Sequence, residues 1–156
     1  MAQRIKPAAI VKTLDVKAPV ERAFEVFASR MGEWWHKQHS IAHGTTQKDV
    51  IIEPRTGGRW YEVGMDGSEH PWGHVVAYEP PRRLLLAWQL NREFVFDPEL
   101  VTEVEVRFEP TDSGTMVYFE HRHLERMGEG AAEELEAMDG GWGMLLDLFG
   151  EAAERG

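Results

Sequence analysis

The chain has no cysteine, which removes disulfides, thiolate zinc sites and cysteine nucleophiles together and fits a reducing compartment. It is poor in positive charge. Its 17 Lys and Arg stand against 27 Asp and Glu, a formal net charge of −10, so the average surface repels phosphate backbones and anionic lipid headgroups. Nucleic acid is thereby set aside as a partner. No stretch approaches the roughly 18 consecutive apolar residues needed to span a bilayer, and MAQRIKPAAIVKTLDVKAP holds no apolar run of signal-peptide length. The expectation is a cytoplasmic, soluble protein without membrane insertion. Also missing are GxSxG, a Walker loop, GxGxxG after a strand, and paired carboxylates at a recognisable spacing. No cofactor and no metal are expected.

What is present is aromatic. GGRWYEVGMDGSEHPWGHVVAYEPPRRLLLAWQ, residues 57–89, sets Trp60, Trp72 and Trp88 on segments punctuated by Gly and Pro. The 156 residues are the size of one ordinary domain, 1–156. AAIVKTLDVKA alternates as a half-buried strand and stops at Pro19. Proline at a first helical position, Glu21 in the first turn and the spacing of Val20, Ala23, Phe24 and Phe27 predict a helix to about Ser29. Met31 to Lys37 forms a short second one. From Gln47 to His123 six further strands are expected, separated by Arg-Thr-Gly-Gly, Asp-Gly-Ser, Pro-Pro, Asp-Pro and Asp-Ser-Gly turns. Val104, Val106 and Phe108 alternate with Glu103, Glu105 and Arg107, as in an antiparallel sheet with one wet face. Leu135, Met138, Trp142, Leu145, Leu146 and Phe149 mark a long C-terminal amphipathic helix. The class is therefore α+β: a curved seven-stranded antiparallel sheet around a long C-terminal helix, with two short helices after strand 1. Curvature draws the sheet centre away from the helix axis, so an internal cavity is expected.

APVERAFEVF after the first strand, the Trp34-Trp35 pair, GGRWYEV, GHVVAYEPPRRL with Trp88 soon after, GTMVYFEH and Gly141-Trp142 together resemble the SRPBCC superfamily, and within it the branch named after the activator of a heat-shock chaperone's ATPase. The resemblance spans nearly the whole chain and rests on six motifs in order. It implies the helix-grip fold, shared with START lipid-binding domains and the birch-pollen allergen. Members largely enclose apolar ligands between helix and sheet, while a few are cyclases, hydrolases or co-chaperones. The chain lacks the additional domain with which the activator engages its chaperone, which counts against a chaperone partner.

Cavity-lining candidates come from parity and from that fold. Trp72, Trp88 and Trp142, with Trp35, supply large apolar area and one N–H donor each, which a polar-headed ligand can satisfy; Phe119 and Phe149 join them from the last strand and helix. His121 and His123, in phase with Val117 and Phe119, are expected on the concave side, and His74 in phase with Trp72 is a third imidazole. Arg59 and Tyr61 are further candidates: Arg59 shares parity with Tyr61, Val63 and Met65, where its guanidinium could meet an anionic head group. His36, His39 and His43 are read as surface or capping histidines, since no carboxylate sits among them and no zinc signature matches. Gly140, Gly141 and Gly143 each cost about 1 kcal/mol in a helix, which suggests a bend that lets the helix and RMGEGAA act as a lid. The leading expectation is binding of a small, largely apolar or amphipathic molecule. A cyclase- or hydrolase-like enzyme and a stress-response interaction domain stand as alternatives. The apolar second face at Leu85 and Ala87 leaves room for a homodimer.

Overall fold

The structure is a computed structural model that describes residues 9–128 and 131–156, with side chains in the last helix described from residue 137 onward. Seven strands, β1 (Ile10–Val16), β2 (Gln47–Ile52), β3 (Arg59–Gly64), β4 (Glu69–Glu79), β5 (Arg83–Trp88), β6 (Thr102–Thr111) and β7 (Gly114–Arg122), form one antiparallel sheet in the order β1-β7-β6-β5-β4-β3-β2. The helices α1 (Val20–Ser29) and α2 (Met31–Trp34) carry the chain from the β1 edge to the β2 edge, after which every strand pairs with its predecessor. A long helix α3 (Ala131–Arg155) packs against β1, α1 and α2 and lies in the curl of the sheet.

Pro19 closes the first strand and its carbonyl accepts the Ala23 N–H at 2.9 Å, starting α1 without a side-chain cap. The stripe Val20, Ala23, Phe24, Phe27 is buried as its spacing demands. Phe27 meets Trp34, Phe108 and Phe149 edge-on or tilted, with ring centroids 5.2–6.0 Å apart, so the core centre is aromatic and offset rather than stacked.

Two β-bulges in β4 bend the sheet. Trp60 pairs with Gly73 and Tyr61 with Pro71, leaving Trp72 extra; Val75 pairs with Leu86 and Ala77 with Leu85, leaving Val76 extra. Each extra residue adds local twist and changes the in-out phase of the strand beyond it. Gly73 is required there, because a Cβ would lie 1.8 Å from the Ala87 carbonyl oxygen.

On the outer face Leu85 and Ala87 are buried beside a ladder in which Arg83 and Arg122 both bond Glu105 and Arg122 also bonds Glu103. That face is charged, contrary to the apolar surface expected from parity alone.

Helix α3 runs unbroken through Gly140, Gly141 and Gly143, so the expected bend does not interrupt it; the preceding RMGEGAA includes residues 129 and 130, outside the described residues. Among the described residues close packing does not explain these glycines: a Cβ at Gly140 meets none of them within 4 Å, and one at Gly141 or Gly143 meets His39 Cε1 at 3.8 Å or Lys12 Nζ at 3.9 Å. Gly140→Ala is therefore expected to stabilise the fold by about 0.5–1 kcal/mol, raising Tm by roughly 1–4 °C. Thermal unfolding checks this; an unchanged or lower Tm would mean that the helix needs its flexibility there.

Candidate functional site

A cavity of about 480 Å³ opens between α3, the segment after α2 and the β4–β5 part of the sheet. Its floor is made of indoles. Trp35, Trp72, Trp88 and Trp142 form a closed ring, with successive centroids 4.8, 6.2, 5.6 and 5.7 Å apart, and Trp60 packs behind Trp72 and Trp88. Four elements contribute: Trp35 ends the helical corner, Trp72 is the bulged residue of β4, Trp88 ends β5, and Trp142 lies on the α3 stripe. Ile41, Leu90, Met138 and Leu145 complete the apolar wall.

Polar anchoring sets these rings. The Trp35 Nε1–H donates to the His39 carbonyl at 2.8 Å, and the Trp72 Nε1–H donates to Glu62 Oε1 at 3.0 Å. Glu62 is fully buried; its carboxylate also accepts the Ile41 N–H at 2.8 Å and the Ser40 hydroxyl. This one side chain ties the segment 38–41 to the floor, a role not legible from the strand because its donors come from residues distant in the chain.

The Trp142 Nε1–H donates to His121 Nδ1 at 3.2 Å. His121 Nε2–H then donates to Thr102 Oγ1 at 2.8 Å, and the Thr102 hydroxyl donates to the Trp88 carbonyl at 3.2 Å. The chain fixes the tautomer and leaves no bond unmade. Burial pushes the His121 imidazole down to about 3, so it is neutral at physiological pH. Among the described residues the Trp60 and Trp88 indole N–H groups are buried without a partner, and Trp88 lines the cavity.

The mouth is polar. Gln38, His39 and Ser40 line one side, and Arg92 and Phe94 line the other from the excursion at 89–98 between β5 and β6. Asn91 holds that excursion in shape: its Oδ1 accepts the Glu93 and Val95 N–H groups at 2.9 and 3.0 Å, and its carbonyl accepts the Phe94 N–H at 2.9 Å. Phe94 adopts a left-handed φ of 59° and is 52% exposed at the rim. Burial first, and then the adjacent His36, hold the His39 imidazole below its ordinary range.

The family model for activator of Hsp90 ATPase homolog 1-like proteins matches residues 17–154. The chain belongs to that family.

It shares the family's helix-grip architecture and its place in the SRPBCC superfamily. Among solved structures it is similar to the anthrahydroquino-gamma-pyrone synthase Txn09, with 34% identity, 92% of this chain and 97% of that one covered, and a TM-score of 0.62. It is also similar to the self-sacrificing resistance protein CalC from Micromonospora echinospora, with 29% identity, 96% and 95% covered, and a TM-score of 0.68. A Nitrosomonas europaea protein at 18% identity, covering 94% of each chain with a TM-score of 0.68, shows the fold alone. No curated protein matches the chain.

In this family member Trp35, Trp72, Trp88 and Trp142 come together at the cavity, while other candidates go elsewhere. Phe119 packs behind Trp142 in a tilted contact, with centroids 4.5 Å apart, and Phe149 lies in the core against Phe27 and Trp34. His121 faces inward but is sealed behind Trp142 and Trp88.

Arg59 is on the outer face instead, and so is Tyr61, the other β3 candidate, which does not line the cavity. The Arg59 side chain is 55% exposed, pairs with Glu53 and Glu69 at 3.1 Å each, and lies 4.2 Å over the Tyr61 ring, because Trp60 and Glu62 take the inward positions of β3. His74 also points outward, bonding Gln89 Oε1 at 2.8 Å, since the Trp72 bulge shifts its phase. His123 lies past the end of β7 with φ 65°, and that left-handed turn carries its ring to Glu103, at 3.3 Å. Sequence reasoning missed His39, Ser40 and Arg92, which sit on loops without periodicity.

Proposed function

We propose that the chain binds a small, largely apolar, ring-bearing molecule in this cavity. The observation that carries the reading is the closed ring of four indoles beneath about 480 Å³ of space, within the ordinary range for a ligand site. Flat aromatic ligands suit such a floor, since offset and edge-on ring contacts add to the area buried. A 34%-identical relative named as a synthase of an anthrahydroquino-gamma-pyrone, solved as a complex, supports a polycyclic ligand.

Tryptophan fluorescence tests this directly, because four of the six tryptophans line the site. Titration with neutral anthraquinone-2-carboxamide is expected to give saturable quenching that Gly141→Leu abolishes, since that side chain enters open cavity space rather than packed core. Equal quenching of the wild type and the variant, or none, would sink the reading.

A second reading, ring closure of a bound aryl 1,3-diketone, is favoured by the neutral His39 imidazole at the mouth. An ortho phenol would add to the distal ketone, forming a C–O bond and losing one water to give the γ-pyrone, with His39 taking the phenolic proton. Absorbance of a 1-(2-hydroxyphenyl)-1,3-diketone with wild type and His39→Ala measures it. Identical rates to buffer for both proteins would exclude it.

A further inference from the structure

We infer that the ligand of this cavity carries an acidic oxygen, a carboxylate or phenolate, seated at the mouth against Arg92. The inference rests on the binding reading above and adds the chemistry of the polar end. The chain carries 27 Asp and Glu against 17 Lys and Arg, yet among the described residues no cavity-lining side chain is a carboxylate, while Arg92 lines the mouth. In so acidic a protein, a lining whose described residues include a guanidinium and no carboxylate distinguishes this concavity electrostatically from the average surface.

Three acids among the described residues near the cavity are engaged elsewhere or turned away. Glu62 lies behind Ser40 and Trp72 with three donors on its oxygens. Asp139 on α3 is held to Lys12 Nζ at 2.6 Å. Glu93 is next to Arg92 in the chain but is exposed and absent from the lining.

Arg92 is presented by a built turn rather than a loose one. The Asn91 side chain closes residues 91–95, Leu90 bridges Phe96, and the Gln89 side-chain amide donates to the Pro98 carbonyl at 3.1 Å. Arg92 is itself engaged within the protein, so a ligand oxyanion would join or displace that partner. A planar guanidinium matches a carboxylate's two oxygens and can also stack on an aromatic ring, so one side chain reads both halves of an aromatic acid. His39 also lines the cavity and adds a second polar ring to its lining.

The test compares anthraquinone-2-carboxylate, 2-hydroxyanthraquinone above its phenol pKa, and anthraquinone-2-carboxamide by tryptophan quenching, with wild type and Arg92→Gln. The expected result is at least ten-fold tighter binding of one or both anions than of the amide in wild type, a preference that falls to within two-fold in Arg92→Gln. Preference for the carboxylate alone or the phenolate alone says which oxygen acid is read. Equal affinity of anions and amide in wild type overturns the inference and leaves the cavity reading standing. An anion preference that survives in Arg92→Gln overturns the assignment to Arg92. Binding of none of the three removes the cavity reading and this inference together.

Discussion

Replacing Glu62 with alanine is expected to cost about 3–5 kcal/mol of stability, the largest effect of any single change at the site. The carboxylate is fully buried and accepts the Ser40 hydroxyl, the Ile41 N–H and the Trp72 indole N–H. Truncation leaves three donors in a dry environment, each costing about 1–3 kcal/mol unless water enters to relieve it. For a domain of this length that is a Tm fall of roughly 10 °C. Glu62→Gln should lie between, because the amide oxygen keeps part of the acceptance while its NH₂ faces a donor. The loss also reaches function, since Ser40, Ile41 and Trp72 all line the cavity. Urea denaturation of the three proteins measures the order; a Glu62→Ala cost under about 1 kcal/mol would show that the carboxylate is not what holds the 38–41 segment.

Acidification supplies the second large effect. An unfolded histidine takes up a proton near pH 6.5, whereas His121 in the fold stays neutral down to about 3 because it is buried. Protonating Nδ1 would also set its N–H against the Trp142 N–H that now donates to it. Between those two values the unfolded state binds the extra proton. Stability from this residue is therefore complete above pH 6.5 and drains by up to about 1.4 kcal/mol per unit as pH falls. Over pH 6.5 to 4.5 that is roughly 2 kcal/mol. His121→Phe should start less stable at pH 7, having orphaned the Trp142 and Thr102 groups, but should lose less on acidification by about that amount. Denaturation curves at pH 6.5, 5.5 and 4.5 for both proteins give the comparison. Parallel pH profiles would place the acid sensitivity in the carboxylates instead.

Both predictions concern residues that sequence periodicity treated unevenly. His121 was legible as inward-facing because β7 is regular, pairing without a shift from Thr111↔Gly114 to Glu103↔Arg122. Its exclusion from the cavity was not legible, since only the α3 crossing puts Trp142 in front of it. Glu62 was hidden by its own chemistry: a glutamate reads as exposed unless donors are seen to converge on it, and those donors come from residues 40, 41 and 72.

The sequence alone determined the strand and helix order, the aromatic core stripe of α1 and α3, the curved antiparallel sheet and the presence of indoles facing it. Those features arise from periods of 2 and 3.6 and from turn chemistry, all local in the chain. Tertiary structure decided which residues form the site. The Trp72 bulge in β4 reversed the facing of His74, the inward demand of Trp60 and Glu62 expelled Arg59, and a left-handed turn removed His123. Loops 38–41 and 89–98, without periodicity of their own, supplied the mouth. A bulge depends on how a strand registers with its neighbour and a loop on what it packs against, so neither can be settled by the residues within it.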